Sequence, residues 1–163
     1  MAVDGAGRVY VSDQKNHRVQ VFAPDGAFVR SLGSQGSGPG QLRSPAGIAL
    51  DRDGGVVVAD KGNGRVQTLR PDGTAGRCLG AAGQEAGQLS GPIDVAVDAE
   101  GNLFVAERGG HRVQVFGPGG EAVRSFGSRG SGPGQLNGVR GVALVGDGRV
   151  LVADNGNNRV QIF

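Results

Sequence analysis

The sequence of 163 residues contains no tryptophan, one cysteine, one methionine and one tyrosine, and aromatic residues make up 4% of it. A single thiol, Cys78, excludes a disulfide framework and any zinc finger or RING within the chain, because each of those needs several Cys or His ligands. No apolar run approaches the roughly 20 residues that a membrane-spanning helix needs, so no membrane partner is expected. The start, MAVDGAGRVYV, lacks the basic region and apolar stretch of a signal peptide. Together with the lone thiol this places the expected setting in the reducing cytoplasm. Neither charge sign dominates. With 17 Lys and Arg against 15 Asp and Glu, the net charge is +2, and what matters is where the charges sit. A helical period is missing throughout.

Glycine is abundant instead, at 33 residues. It follows no Gly-X-Y register, which excludes collagen, and recurs at fixed places between short apolar runs, as turns do. These places repeat every 47 residues. Asp13, Asp60, Glu107 and Asp154 share one phase; Arg18, Arg65, Arg112 and Arg159 share another, each followed by Val and Gln. A fixed period of this length marks a repeat architecture.

The second copy shows the content of one unit. Gly47 to Asp51 is a short apolar run, Arg52-Asp-Gly54 a turn, and Val56 to Asp60 a β-branched run that reads as a strand. Arg65 to Leu69 alternates, and Pro71-Asp-Gly73 is a turn in which Pro presets φ and Gly tolerates positive φ. Ala75 to Leu79 is a weaker fourth strand, and a Gly-rich stretch from Gly80 to Pro92 leads to the next copy. Four short strands cannot bury both faces of their own sheet, so units must stack. Four-stranded units of this length are propeller blades. The expected fold is therefore all-β, a propeller of four 47-residue blade units at about 1–46, 47–93, 94–140 and 141–163, the first and last incomplete. Cys78, in a fourth strand, is expected to be a packed small side chain.

In such a meander the loops after the second and fourth strands share one face. That face carries Lys15, Arg18, Arg43, Lys61, Arg65, Arg108, Arg112, Arg129, Arg140 and Arg159 against six acids, Asp13, Asp60, Glu85, Asp94, Glu107 and Asp154. The opposite face carries Arg8, Arg52, Arg70 and Arg149 against nine acids, Asp147 among them. The repeated pairs Asp13–Arg18, Asp60–Arg65, Glu107–Arg112 and Asp154–Arg159 read as structural, because a feature present in every copy belongs to the scaffold; a cross-strand charge pair contributes about 0.2–1 kcal/mol. What remains is Lys15, Arg43, Lys61, Arg108, Arg129 and Arg140, with His17 and His111 in the same loops. These positions differ between copies and form the candidate binding set, since repeat scaffolds carry function in loops on one face. Such a set would attract phosphate. The loops hold no aromatic residue for base stacking, so structured RNA read by shape fits better than single strands.

Other constellations fail. Asp51-Arg-Asp-Gly54 lacks the ligand pattern of a calcium loop ending in Glu. Gly33-Ser-Gln-Gly-Ser-Gly-Pro-Gly40 is not followed by Gly-Lys-Ser/Thr, as a phosphate-binding loop requires. No catalytic residue, metal or cofactor is expected.

Asn16-His-Arg-Val-Gln-Val-Phe22, Asn157-Asn-Arg-Val-Gln-Ile-Phe163 and the lead-ins Arg8 to Asp13 and Arg149 to Asp154 resemble NHL repeats. The spacers Gly33 to Leu42 and Gly127 to Leu136 are similar to those in the C-terminal NHL domains of TRIM-type ubiquitin ligases. The third copy departs most, with Glu107 for Asp and Gly110 for Asn, and the second has Thr68-Leu69. The resemblance implies a six-bladed ring, closed when an N-terminal segment donates the last outer strand, so this chain would be part of a larger ring with open edges that invite self-association. A four-bladed ring lacking one outer strand is the alternative. It also implies a non-catalytic module that selects RNA stem-loops or protein targets for a ligase. Relatives of the amidating-lyase type would instead place metal-binding His or acids at the channel, where the inner strands here offer no His.

Overall fold

In a computed structural model of the chain, residues 1–146 and 148–163 are described. Among the described residues, fifteen of seventeen short strands form three four-stranded antiparallel sheets and a three-stranded one. The first blade is β1 (Ala2–Val3), β2 (Val9–Asp13), β3 (Arg18–Phe22) and β4 (Phe28–Leu32). A small parallel pair, β5 (Ser34–Gln35) with β6 (Gln41–Leu42), lies in the linker that follows. The second blade is β7 (Ile48–Leu50), β8 (Val56–Asp60), β9 (Arg65–Leu69) and β10 (Ala75–Leu79); the third is β11 (Pro92–Val97), β12 (Leu103–Glu107), β13 (Arg112–Phe116) and β14 (Ala122–Phe126). The fourth is β15 (Gly141–Leu144), β16 (Val150–Asp154) and β17 (Arg159–Ile162). This is a propeller of four blades, each a meander in chain order.

The hairpins follow from local chemistry. Asp51 Oδ1 accepts the amides of Asp53 and Gly55, and Asp72 Oδ1 that of Thr74, so these Asp-Gly segments close their own turns rather than gather a cation. Val56 to Asp60 and Leu103 to Glu107 are buried on both faces, because each of these strands has a blade on either side. The core is accordingly divided into seams. Tyr10, Val19 and Val21 of the first blade meet Ile48, Val56 and Leu69 of the second. Val57 and Val66 meet Val95 and Leu103 at the next seam, and Phe104, Val113 and Val115 meet Val142 and Val152 at the last. Each seam also receives one leucine from the linker, Leu42, Leu89 or Leu136, at no more than 1% exposure.

The Gly-rich linkers are thus ordered. Gln41 Oε1 accepts the amide of Gly38, and Gln135 Oε1 that of Gly132. Gly33 has φ +78°, and a Cβ there would stand 2.8 Å from Leu42, so the close approach of the linker requires glycine. Cys78 is exposed, against the expectation of packing. It pairs with Gln67 on the outer strand, at the phase where the first and third blades have the exposed Ser31 and Ser125.

Candidate functional site

The charged groups on the loop face divide into those that are engaged and those that are not. In each blade the acid that ends the second strand stands opposite the arginine that begins the third, Asp13 with Arg18, Asp60 with Arg65, Glu107 with Arg112 and Asp154 with Arg159. Their N–O distances are 3.1, 2.8, 2.7 and 2.8 Å. The pairs are more than cross-strand contacts. Asp60 also accepts the amide of Arg43 at 2.6 Å and the side chain of Asn63 at 2.7 Å. Arg65 donates onward to the carbonyls of Ser37, Gly38 and Gln41, and Gln67 holds Gly40 and Gln41. Acid, arginine and glutamine together clamp the linker that arrives from the preceding blade.

The third and fourth blades repeat the clamp. Glu107 takes the amide of Ser90, and Arg112 reaches the carbonyls of Glu85 and Gln88 at 3.3 and 3.2 Å. Asp154 takes the amide of Asn137, and Arg159 reaches Gly132 and Gln135 at 2.7 and 2.8 Å. Burial would push the Asp154 carboxyl up, but hydrogen bonds from Asn157, Asn137, Arg159 and Gln161 outweigh it and hold the group below its ordinary value. Spacing showed the pairs and could not show the clamp, because the linker partners lie 24 to 28 residues upstream and meet the arginine only when blades stack.

Two further groups are partly taken up by the scaffold. His17 Nδ1 accepts the amide of Ser44 at 2.9 Å, and His111 Nδ1 that of Gly138 at 3.0 Å. Each therefore offers Nδ1 as an acceptor to the following linker, from backbone at φ +56° and +51°. Gly64 stands at that phase in the second blade, so the linker after it has no such tie. Asn63 and Asn157 bridge their blade's acid to Gly36 and Gly130, and Asn16 is bonded to Asp13.

The remaining bases are different. Lys15, Arg43, Arg108, Arg129 and Arg140 are exposed and Lys61 is half-buried, and none makes a side-chain hydrogen bond or ion pair among the described residues. A cavity of about 180 Å³ opens beside Arg43, lined also by Gln35, Gly36, Ser37 and Asn63. Of the two loop-face acids outside the repeated pairs, Glu85 is exposed. Asp94 belongs to the inner strand β11, where its Oδ2 accepts the amide of Val142 beside Gly47 and Gly141. Burial pushes its carboxyl up, against the hydrogen bonds from Val142 and Val95. Asp147, counted with the opposite face, lies outside the described residues. Among the described residues no three His, Cys, Asp or Glu side chains gather as a metal site would require, and no helix is long and apolar enough to cross a membrane.

The description "NHL repeat" matches residues 1–22, 42–69, 89–116 and 136–163, one segment in each blade. The chain belongs to the NHL-repeat family. Over 43 residues it is 56% identical to the RING finger protein nhl-1 of Caenorhabditis elegans, a stretch covering 26% of this chain and 4% of that protein. Solved structures match the fold along nearly the whole chain. A structure of the nidogen/laminin complex gives a TM-score of 0.77 at 24% identity, covering 99% of this chain and 57% of that one. A streptogramin B lyase gives 0.72 at 13% identity with 99% and 52% covered, and a gluconolactonase of Xanthomonas campestris 0.71 at 18% with 97% and 54% covered. The chain spans about half the length of these propellers, and at these identities the likeness concerns the fold.

Proposed function

We propose that this NHL-repeat chain is a non-catalytic binding module whose loop face recognises structured RNA, within a RING-type ubiquitin ligase of the cytoplasm. The observation that carries the reading is the partition of the loop charges. The acid–arginine pairs are engaged, those of the second, third and fourth blades in clamping linkers and that of the first within its own blade, while Lys15, Arg43, Lys61, Arg108, Arg129 and Arg140 are left with no side-chain partner among the described residues. Unpaired bases on rigid loops are available to phosphates without first breaking an internal bond. His17 and His111 can add only Nε2, since Nδ1 is occupied. Similarity to a RING finger protein supports the ligase setting, in which this module would select the target and the RING would act elsewhere in the protein.

The test is a titration with a pool of RNA hairpins at two salt concentrations. Arg108→Glu, Arg129→Glu and Arg140→Glu together should abolish binding without unfolding, because all three side chains are exposed. Binding of the unaltered chain should fall steeply with salt. An affinity insensitive to both changes would remove the RNA reading. Salt-tolerant retention of a protein, with no retention of RNA, would favour the second reading, a scaffold for protein substrates. The third reading, a propeller enzyme of the amidating-lyase type, requires a bound metal, and metal analysis of the purified chain tests it.

A further inference from the structure

The seam between the second and third blades departs from its neighbours at several positions at once. Where the first and third blades present Tyr10 and Phe104 to the next blade, the second presents Val57. Where they place Val21 and Val115 it has Thr68, and where they place Val29 and Val123 it has Gly76. The result is a cleft of about 470 Å³ on the turn face, away from the unpaired loop bases, with Val57, Val97 and Leu103 at its floor. That volume falls within the roughly 300–1,000 Å³ of ligand pockets.

Two arginines appear at the same seam and nowhere else in the repeat. Arg52 stands where other copies have Gly5, Ala99 and Gly146, and Arg70 where they have Ala23 and Gly117. Both line the cleft with Arg77. Among the described residues, the side-chain hydrogen bonds of these three arginines all go to neutral oxygens. Arg52 reaches the carbonyl of Ala99, Arg77 that of Pro118, and Arg70 the carbonyl of Ala75 and the hydroxyl of Thr74. None is ion-paired among the described residues, and Asp51 and Asp98 are already engaged by the amides of their own turns. Three guanidinium groups sharing a cleft with Val57, Val97 and Leu103 are complementary to a carboxylate attached to an apolar body. Asp53 and Glu100 also line the cleft and would repel a second acid.

We propose that this cleft is a second binding site, taking from a protein partner an apolar side chain next to a single carboxylate. The site is independent of the loop face and of what that face binds. The cleft is open between two hairpin turns and mixed in charge, which suits an extended peptide more than an enclosed small acid.

The experiment is a titration of the isotope-labelled chain, followed by the amide resonances of Gly55, Gly76 and Gly101. The probes are acetyl-Gly-Phe-Glu-Gly-amide, the same peptide with Gln for Glu, and free phenylacetate. The Glu peptide should shift these amides saturably, and the Gln peptide should bind about tenfold more weakly for want of the charge-assisted bond. Arg52→Ala with Arg70→Ala, both at exposed positions, should weaken the Glu peptide by a similar factor. Val57→Phe, which restores the aromatic of the other seams, should abolish binding. If that variant fails to fold, the arginine pair still decides. Arg108→Glu, Arg129→Glu and Arg140→Glu should leave peptide binding unchanged, so failure of the RNA reading and failure of this one are separable. The proposal is overturned if the Glu peptide shifts none of the three amides, if both peptides bind alike, or if phenylacetate binds and the peptide does not.

Discussion

At the scale of single residues, the same acid at the same phase does different amounts of work. Asp60 is fully buried and holds Arg43, Asn63 and Arg65 at once. Asp13 keeps 17% side-chain exposure and bonds only to Asn16, Arg18 and Gln20 of its own blade. Removing one member of a buried pair strands the other, so Asp60→Ala should cost about 3–5 kcal/mol in urea unfolding. Asp13→Ala should cost far less than Asp60→Ala in the same measurement, as pairs open to solvent do. Asp94 and Asp154 respond to pH in opposite senses. The raised pKa of Asp94 means that its contribution is fully present below 3.8, its ordinary value, and is lost as pH rises through the folded value. Asp154 contributes above 3.8 and loses that as pH falls through its lowered value. Thermal unfolding of Asp94→Asn should therefore show a melting temperature at pH 7 equal to or above that of the parent, and a flatter profile just above pH 4; a marked drop at pH 7 would contradict the burial argument. The acid and arginine phases were legible from spacing alone, whereas the linker clamp depends on blade stacking that no local pattern encodes.

The elements themselves were legible where β-branched runs alternate between turn residues, and Val56 to Asp60 and Arg65 to Leu69 fall where the pattern put them. The linkers were not, because glycine-rich stretches carry no period. Their order comes from Gln41 and Gln135 turning back on Gly38 and Gly132, and from one leucine each in a seam. Leu89 is 1% exposed although it lies outside every long strand. Leu89→Ala should cost about 2–5 kcal/mol, as for other buried leucines. Val123 lies within β14 but is 59% exposed, and Val123→Ala should stay within about 0.5 kcal/mol. Denaturant midpoints of the two variants check this inversion of strand and loop. Cys78 was misjudged for a related reason. On the outermost strand of its blade Cys78 is exposed while the adjacent Leu79 is buried, a difference that the short apolar run could not reveal.

At the scale of the whole molecule, the period made the stacked architecture legible, but which faces meet a neighbour had to be seen. Val19, Val66 and Val113 occupy one phase and are at most 1% exposed, while Val160 at the same phase is 61% exposed, beside Ile162 at 58%. This apolar face on the fourth blade should cause concentration-dependent association. Sedimentation of Val160→Lys with Ile162→Lys should show a lower average mass at little cost in stability. The seams between blades are also unequal. His17 and His111 fasten the linkers after the first and third blades, and Gly64 leaves the one after the second without that tie. There too the clamp bonds are longest, those of Arg112. Packing still joins the two blades, with Val57 and Val66 buried against Val95 and Leu103. A peptide lodged in the cleft would touch both blades at once, so occupancy of a small site would add a staple to the seam and raise its resistance to mechanical opening.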